Sequence, residues 1–343
     1  MGEEKKKGMT YAEAGVDIDK EEGMVKAVVS QLKTGEKGFG KLMDLSGHYT
    51  GLIDFGDMAL SLCTDSIGTK GMIADALEKW DTVGFDCMAM NVNDMICIGA
   101  TPIAFVDFFA IEKYDEHMAT EVGKGLAAAA QVAGVEIIGG ETASLPDIVS
   151  GFELAGTCLG YVKKDEIISG ENIAPGDIII GLRSSGIHSN GLTLARKIVE
   201  NNGLSYKDTF PGSDLPIGET LLIPTSIYVK EVLEVLKSSK VKGMAHITGG
   251  GLKNLPRLKK GVEFRITDPF EPQEVFSHLQ KLGGVSDKEM YKTFNMGMGF
   301  AIVAEKGEVE GILKTLEGKV EAKLVGEVFE GEGASLPKLD LKY

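Results

Sequence analysis

The chain has 343 residues, 43% hydrophobic and 25% charged, as expected of a soluble globular protein long enough for two domains of ordinary size. Its formal net charge is −15, with a pI near 4.9. That balance argues against nucleic-acid binding through a basic face, because duplex affinity rests largely on Lys and Arg neutralising phosphates. It still admits a small anionic substrate where lysines and a divalent cation gather locally.

Four cysteines, Cys63, Cys87, Cys97 and Cys158, stand singly in apolar surroundings without a C-x-x-C pair and read as buried structural thiols. The first seven residues are charged and carry no apolar h-region, so no secretory signal is visible. The apolar run over 88–111 is interrupted by Asn91, Asn93, Asp94 and Asp107, which argues against a membrane span. The expectation is a cytoplasmic enzyme or binding protein with neither nucleic-acid nor membrane partners.

In chain order, residues 1 to about 20 read as a loosely held arm, followed by a helix with Met24, Val25, Val28, Val29 and Leu32 on one face. The glycine-rich loop over 34–41 carries two lysines; it suits a phosphate, and equally a surface turn. Next, the apolar run over 58–63 predicts a short buried strand leading into Thr64-Asp65-Ser66-Ile67-Gly68-Thr69-Lys70 and a helix. Asp65 can hold Mg2+, backbone N–H groups near Gly68 can face phosphate, and Lys70 can neutralise it. The spacing is not that of a Walker loop, and an ordinary strand-to-helix turn explains it equally well.

A largely buried helix is expected over 86–99, with Asn91 and Asp94 three residues apart on one face. A buried aspartate needs a partner, and a metal is favoured over a basic group for Asp94. Strands over 102–110 and 135–138 flank a small-residue helix over 120–133, and another strand follows over 151–162. The strand over 135–138 is expected to end in Gly139-Gly140-Glu141-Thr142, an acid beside glycines where α/β proteins place ligands, although a surface turn also accounts for Glu141.

The polar, glycine-punctuated stretch 163–175 marks a domain boundary, giving domains 1–168 and 169–343. A buried strand over 177–182 then runs into Arg183-Ser184-Ser185-Gly186-Ile187-His188-Ser189-Asn190-Gly191 and a helix over 192–201. This loop has the make-up of an anion- or substrate-binding turn, or of one whose Ser and Asn only cap the helix. Further on come a helix over 225–236, a glycine cluster after His246 (Ile247-Thr248-Gly249-Gly250-Gly251), an alternating strand over 262–267 and an apolar strand over 301–304.

Together these segments resemble the phosphoribosylformylglycinamidine cyclo-ligases, the aminoimidazole ribonucleotide synthetases of purine biosynthesis, over almost the whole chain. The resemblance is carried by Tyr11 with Ala14-Gly15-Val16-Asp17-Ile18, Thr64-Asp65 with Gly68-Thr69-Lys70, Asn93-Asp94, Gly139-Gly140-Glu141-Thr142-Ala143, Ser184-Ser185-Gly186 with His188-Ser189-Asn190-Gly191, His246 with Thr248-Gly249-Gly250-Gly251, and Met290-Tyr291 with Thr293-Phe294-Asn295-Met296-Gly297. It implies a mixed α/β fold of two domains, an ATP-dependent synthetase whose N-terminal domains pair in a homodimer around a barrel-like core. It implies Mg2+-ATP bound by the N-terminal half, with Asp65, Asp94 and Glu141 as metal ligands. Gly38, Gly40, Thr69, Lys70, Asn93 and Asp94 are the implied ATP-binding residues. Ser185, Gly186, Ser189, Asn190, Thr248, Gly249 and Gly250 are implied for the ribonucleotide substrate, and His188, Lys70 and Asp65 for catalysis.

The reaction implied is ring closure of formylglycinamidine ribonucleotide with ATP to aminoimidazole ribonucleotide, ADP and phosphate. Phosphorylating the formyl oxygen gives an iminophosphate, and the amidine nitrogen of the same molecule displaces phosphate, aided by proximity. Ser66, Ser144-Leu145 and Ser226 depart from the family pattern, and the segment 249–256 is one residue shorter than usual. The rival readings are selenophosphate synthetase, thiamine-monophosphate kinase, the hydrogenase-maturation dehydratase, and a nucleotide-binding protein without turnover.

Overall fold

The computed structural model describes residues 8–32, 38–43, 45 and 48–343. The part of the glycine-rich loop at 33–37 lies outside the described residues. Asp17 caps α1 (Ile18–Val29) by accepting from the Lys20 backbone N–H, the usual way to satisfy a first-turn donor. The expected apolar stripe of this helix forms, but it faces outward, with Met24 71% and Val28 61% exposed.

The first sheet has β1 (Leu42–Met43), β2 (Gly51–Phe55), β3 (Met58–Ser66), β4 (Thr101–Ile111), β5 (Glu136–Ser144) and β6 (Phe152–Lys163) in the order β1-β2-β3-β6-β4-β5. Only β4 and β5 run parallel, joined through α4 (Glu116–Ala133). On β6 burial alternates strictly, so Phe152, Leu154, Cys158 and Val162 face the core while Ala155, Thr157, Leu159 and Tyr161 face outward. α2 (Lys70–Leu77) and α3 (Val83–Ile96) lie on the inward side. α3 is apolar nearly all round because it is enclosed by the sheet, by α4 and by the second half of the chain. Gly84 and Gly125 allow α3 and α4 to touch backbone to backbone: a Cβ on Gly84 would lie 2.2 Å from the Leu126 nitrogen.

The second sheet takes β7 (Ile178–Arg183), β8 (Val241–His246), β9 (Val262–Ile266), β10 (Met298–Ala304), β11 (Ala322–Glu330), β12 (Gly333–Leu336) and β13 (Leu341–Lys342), ordered β13-β12-β9-β11-β7-β10-β8. The continuous apolar runs of β7 and β10 suit interior strands flanked on both sides, and both are buried almost throughout. α5 (Leu192–Asn201), α6 (Ile217–Leu221), α7 (Val229–Ser238), α8 (Glu274–Gly283), α9 (Asp287–Thr293) and α10 (Val309–Leu316) complete this half. Among the described residues no helix is long and apolar enough to cross a membrane.

Three expectations change. β5 does not stop at Gly139 but continues to Ser144, because parallel pairing with β4 persists through Ile111↔Ser144. α7 begins at Val229 and not at Thr225, since buried side chains of α3 take the backbone N–H groups ahead of it (Thr225 by Asp86, Tyr228 by Asn93). The N-terminal arm, assigned to the first domain, packs on the second: Met9 N–H donates to the Gly283 carbonyl (3.1 Å) and Tyr11 N–H to Glu289 Oε1 (2.8 Å).

Candidate functional site between the two halves

A cavity of about 760 Å³ opens between the halves of the chain. Its first wall is the end of β3 and the turn into α2, with Asp65, Ser66, Gly68 and Thr69. Opposite stand Ser189 and Asn190 before α5, and Thr248, Gly249 and Gly250 after β8. Lys253 and Arg257 add cations to this second wall, and Glu21 and Lys26 reach in from α1.

Asp65 is held where β3 ends, with Oδ1 accepting from the Ser66 N–H at 2.7 Å. Burial, and then the nearby charge of Asp94, raise its carboxyl from 3.8 to about 6. Asp94 comes from α3, directly behind this wall, and its Oδ1 lies 2.8 Å from His246 Nδ1 at the end of β8. The imidazole is fully buried. A carboxylate from the first half is thereby fixed by a ring from the second. Among the described residues no three His, Cys, Asp or Glu side chains converge on a common metal centre. The donor chemistry at Asp65 and Asp94 nevertheless fits Mg2+, which commonly takes one or two carboxylates and completes its shell with water and phosphate oxygen.

Glu141 does not join them. Pairing sets Asp65 opposite Gly156, Gly156 opposite Asp107, and Asp107 opposite Gly140. Glu141 is therefore three strands away and, being next along β5, points to the other face of the sheet. Gly38 and Gly40 also lie elsewhere, against the β2–β3 hairpin, where Gly40 N–H donates to the Asp54 carbonyl and Phe39 meets Phe55 edge-on.

Lys70, Asn93 and His188 sit behind the cavity as ties between the halves. Lys70 is fully buried; its ammonium donates to Asp86 Oδ1 (2.8 Å), the Ile223 carbonyl (2.8 Å) and the His188 carbonyl (3.1 Å), which uses all three protons. Asn93 donates to the Ser226 carbonyl (2.8 Å) and accepts from Tyr228 N–H (3.0 Å). His188, at a positive φ of 61°, turns its ring inward, and Nε2 accepts from the Ser185 N–H at 3.2 Å. Burial holds its pKa well below the usual histidine range, so the ring is neutral at physiological pH. Ser185 donates its hydroxyl to the Pro224 carbonyl and the Gly186 carbonyl accepts from Asn295, so both shape the loop from behind.

The loops facing the cavity are rigidly built. Asn254 Oδ1 accepts from Thr248 N–H (3.0 Å), and the Asn254 carbonyl accepts from Tyr49 (3.1 Å), whose ring lies under the Arg257 guanidinium at 4.5 Å. Gly249 packs close to Asn190, whose Oδ1 would lie 2.9 Å from a Cβ at that position. Asp86, Thr225, Asn254 and Arg257 escaped the sequence reading. Asp86 alone carried a signal, an acid in the same apolar helix, of the kind that singled out Asp94.

The two halves match the two parts of one family: residues 47–162 match AIR synthase related protein, N-terminal domain, and residues 174–337 its C-terminal domain. The chain is 51% identical over 320 residues, 93% of its length and 96% of the relative's, to the phosphoribosylformylglycinamidine cyclo-ligase of Methanosarcina barkeri. The chain belongs to the phosphoribosylformylglycinamidine cyclo-ligase family. It is a ligase of purine biosynthesis that closes a ring through a C–N bond, as the sequence implied. Solved structures share the fold at low identity. AaThiL complexed with AMPPCP and TMP superposes with a TM-score of 0.65 at 16% identity, covering 96% of this chain and 97% of that one. The hydrogenase maturation protein HypE in complex with ATP gives 0.58 at 18% identity, covering 81% and 78%.

Proposed function

We propose that this cavity is where Mg2+-ATP and formylglycinamidine ribonucleotide meet. The observation that carries the reading is the division of chemistry between its walls: the Asp65 carboxylate on the first half, with Asp94 behind it, faces hydroxyl, amide and glycine-rich loops on the second. Asp65 and Asp94 hold Mg2+, with His246 orienting Asp94. Mg2+ held by these carboxylates would supply the positive charge that phosphoryl transfer requires. Thr69 sits on the nucleotide side. Ser189, Asn190, Thr248 and the backbone at Gly249 and Gly250 hold the ribonucleotide, and Lys253 and Arg257 supply positive charge for a phosphate. Fixing the formyl oxygen and the amidine nitrogen of one molecule side by side gives ring closure its entropic advantage. Lys70, Asn93 and His188 position the two walls without touching reactants, a change from the roles their motif implied. Structures of the same fold with AMPPCP or ATP bound support a nucleotide here.

The protein acts as a homodimer through the outer face of its first sheet. That face carries Leu62 (55% exposed), Phe108 (41%) and Tyr161 (38%) with Leu159 among them, an apolar strip that a second copy would cover. Four free thiols suit the reducing cytoplasm. The deciding experiment measures ADP release with and without formylglycinamidine ribonucleotide in the wild type and in Asp65→Asn and Asp94→Asn. Substrate-dependent ADP release that both variants lose, with a raised Mg2+ requirement, is expected; a variant turning over like wild type removes that residue from the site. Sedimentation of Leu62→Lys tests the dimer, which should dissociate.

A further inference from the structure

Behind Ser189 lies a hydrogen-bond chain whose direction is fixed by its buried end. Asp86 is fully buried on α3, and its Oδ1 takes Lys70 Nζ (2.8 Å), the Thr225 N–H (2.8 Å) and the Thr225 hydroxyl (2.6 Å). A carboxylate oxygen that already receives an ammonium and an amide can only accept, so the Thr225 proton points to Asp86. Thr225 Oγ1 lies 3.0 Å from Ser189 Oγ. With its own proton committed, Thr225 Oγ1 acts as acceptor in that contact, and Ser189 donates. The Ser189 hydroxyl therefore has its hydrogen directed inward, and what it offers the cavity is lone pairs.

We propose that Ser189 is a fixed hydrogen-bond acceptor at the cavity wall, polarised by Asp86 through Thr225, and that it selects a hydroxyl or amino donor of the bound ribonucleotide over a phosphate oxygen. A phosphate oxygen would meet lone pairs there and be repelled; its cationic partners, Lys253 and Arg257, stand elsewhere on the same wall. Ser189 thus contributes to orientation, placing the sugar or amidine end of the ligand at the Asp86 relay. Thr225 and Asp86 act through Ser189 and are positioning residues. The inference rests on the reading that this cavity takes the ribonucleotide.

The test compares kcat and KM for formylglycinamidine ribonucleotide and for ATP in wild type, Ser189→Ala, Thr225→Val, Thr225→Ser and the Ser189→Ala/Thr225→Val pair, with thermal midpoints measured alongside. Ser189→Ala should lower kcat/KM for the ribonucleotide about 3- to 10-fold, the size of one neutral hydrogen bond. Thr225→Val should reproduce most of that loss by freeing the Ser189 proton, Thr225→Ser should restore wild-type values, and the double variant should be no worse than the more impaired single one. An unaffected Ser189→Ala, or a Thr225→Val that binds ribonucleotide like wild type, overturns the proposal. So does failure of Thr225→Ser to rescue while its midpoint is unchanged. Losses confined to the KM of ATP, with the same non-additivity, keep the relay but overturn the ribonucleotide assignment and the site reading beneath it.

Discussion

Replacing Asp65 by Asn should make the metal-free protein more stable while abolishing its activity. Burial and the charge of Asp94 raise the Asp65 carboxyl from 3.8 to about 6. The sign follows from linkage. Below pH 3.8 the group is protonated in both folded and unfolded chains and contributes no difference. Between 3.8 and 6 the unfolded chain ionises first, so native stability falls as pH rises; above 6 the full cost is present. At about 1.4 kcal/mol per pH unit, that cost reaches about 3 kcal/mol at pH 7.5 and only about 1 kcal/mol at pH 4.5. Both are upper bounds, because Asp65 lines an open cavity and water screens part of the repulsion. Asn keeps the Oδ1 acceptor for Ser66 and carries no charge, so Asp65→Asn removes the penalty without removing the hydrogen bond. Urea denaturation in chelator-treated buffer at the two pH values measures it. Saturating Mg2+-ATP should then reverse the ranking, since only the wild type gains the full stabilisation of bound ligand. An Asn variant no more stable than wild type at pH 7.5, or equally stabilised at pH 4.5, would refute the reasoning.

Lys70→Met should destabilise the protein by about 3–5 kcal/mol by leaving Asp86 buried without its cation, and Lys70→Arg should not fully rescue it, as a planar fork does not match the three acceptors around the ammonium; denaturation midpoints decide. His188→Gln should lower the rate without removing a limb from the pH–rate profile, because the ring is buried, neutral and turned away from the cavity; disappearance of a limb would return His188 to proton transfer. Gly84→Ala should cost more than about 2 kcal/mol, since α3 and α4 must separate to admit the methyl group, and thermal unfolding would register it. Cys63→Ser should keep the wild-type rate: burial raises the thiol well above its ordinary range, and it is spent as a donor to the Asn91 carbonyl at 3.1 Å; a well-folded variant with a collapsed rate would require a thiol in the reaction.

The sequence by itself determined the elements whose signal is local. Apolar runs located β7 and β10, because a strand buried on both faces needs no partner to announce it; the run at β3 also marked a strand, but only one of its faces is buried, and Leu62 stands exposed on the other. Asp94 stood out as an acid in an apolar helix, and the glycine cluster at 249–251 as suited to a close backbone approach or a turn. Motif order carried the family. Tertiary structure decided which polar residues reach the cavity, since an interdomain contact leaves no periodicity in either segment. Lys70 reads as a phosphate ligand until its ammonium is found spent on Asp86 and two carbonyls from the second half. Glu141 reads as a strand-end acid until pairing with β4 carries β5 past it and turns it to the other face. His246 and Asp94 are 152 positions apart, and only the packing of β8 against α3 brings the ring to the carboxylate. A side chain's type fixes what chemistry it can offer; its direction is set by long-range packing that no local stretch of sequence encodes.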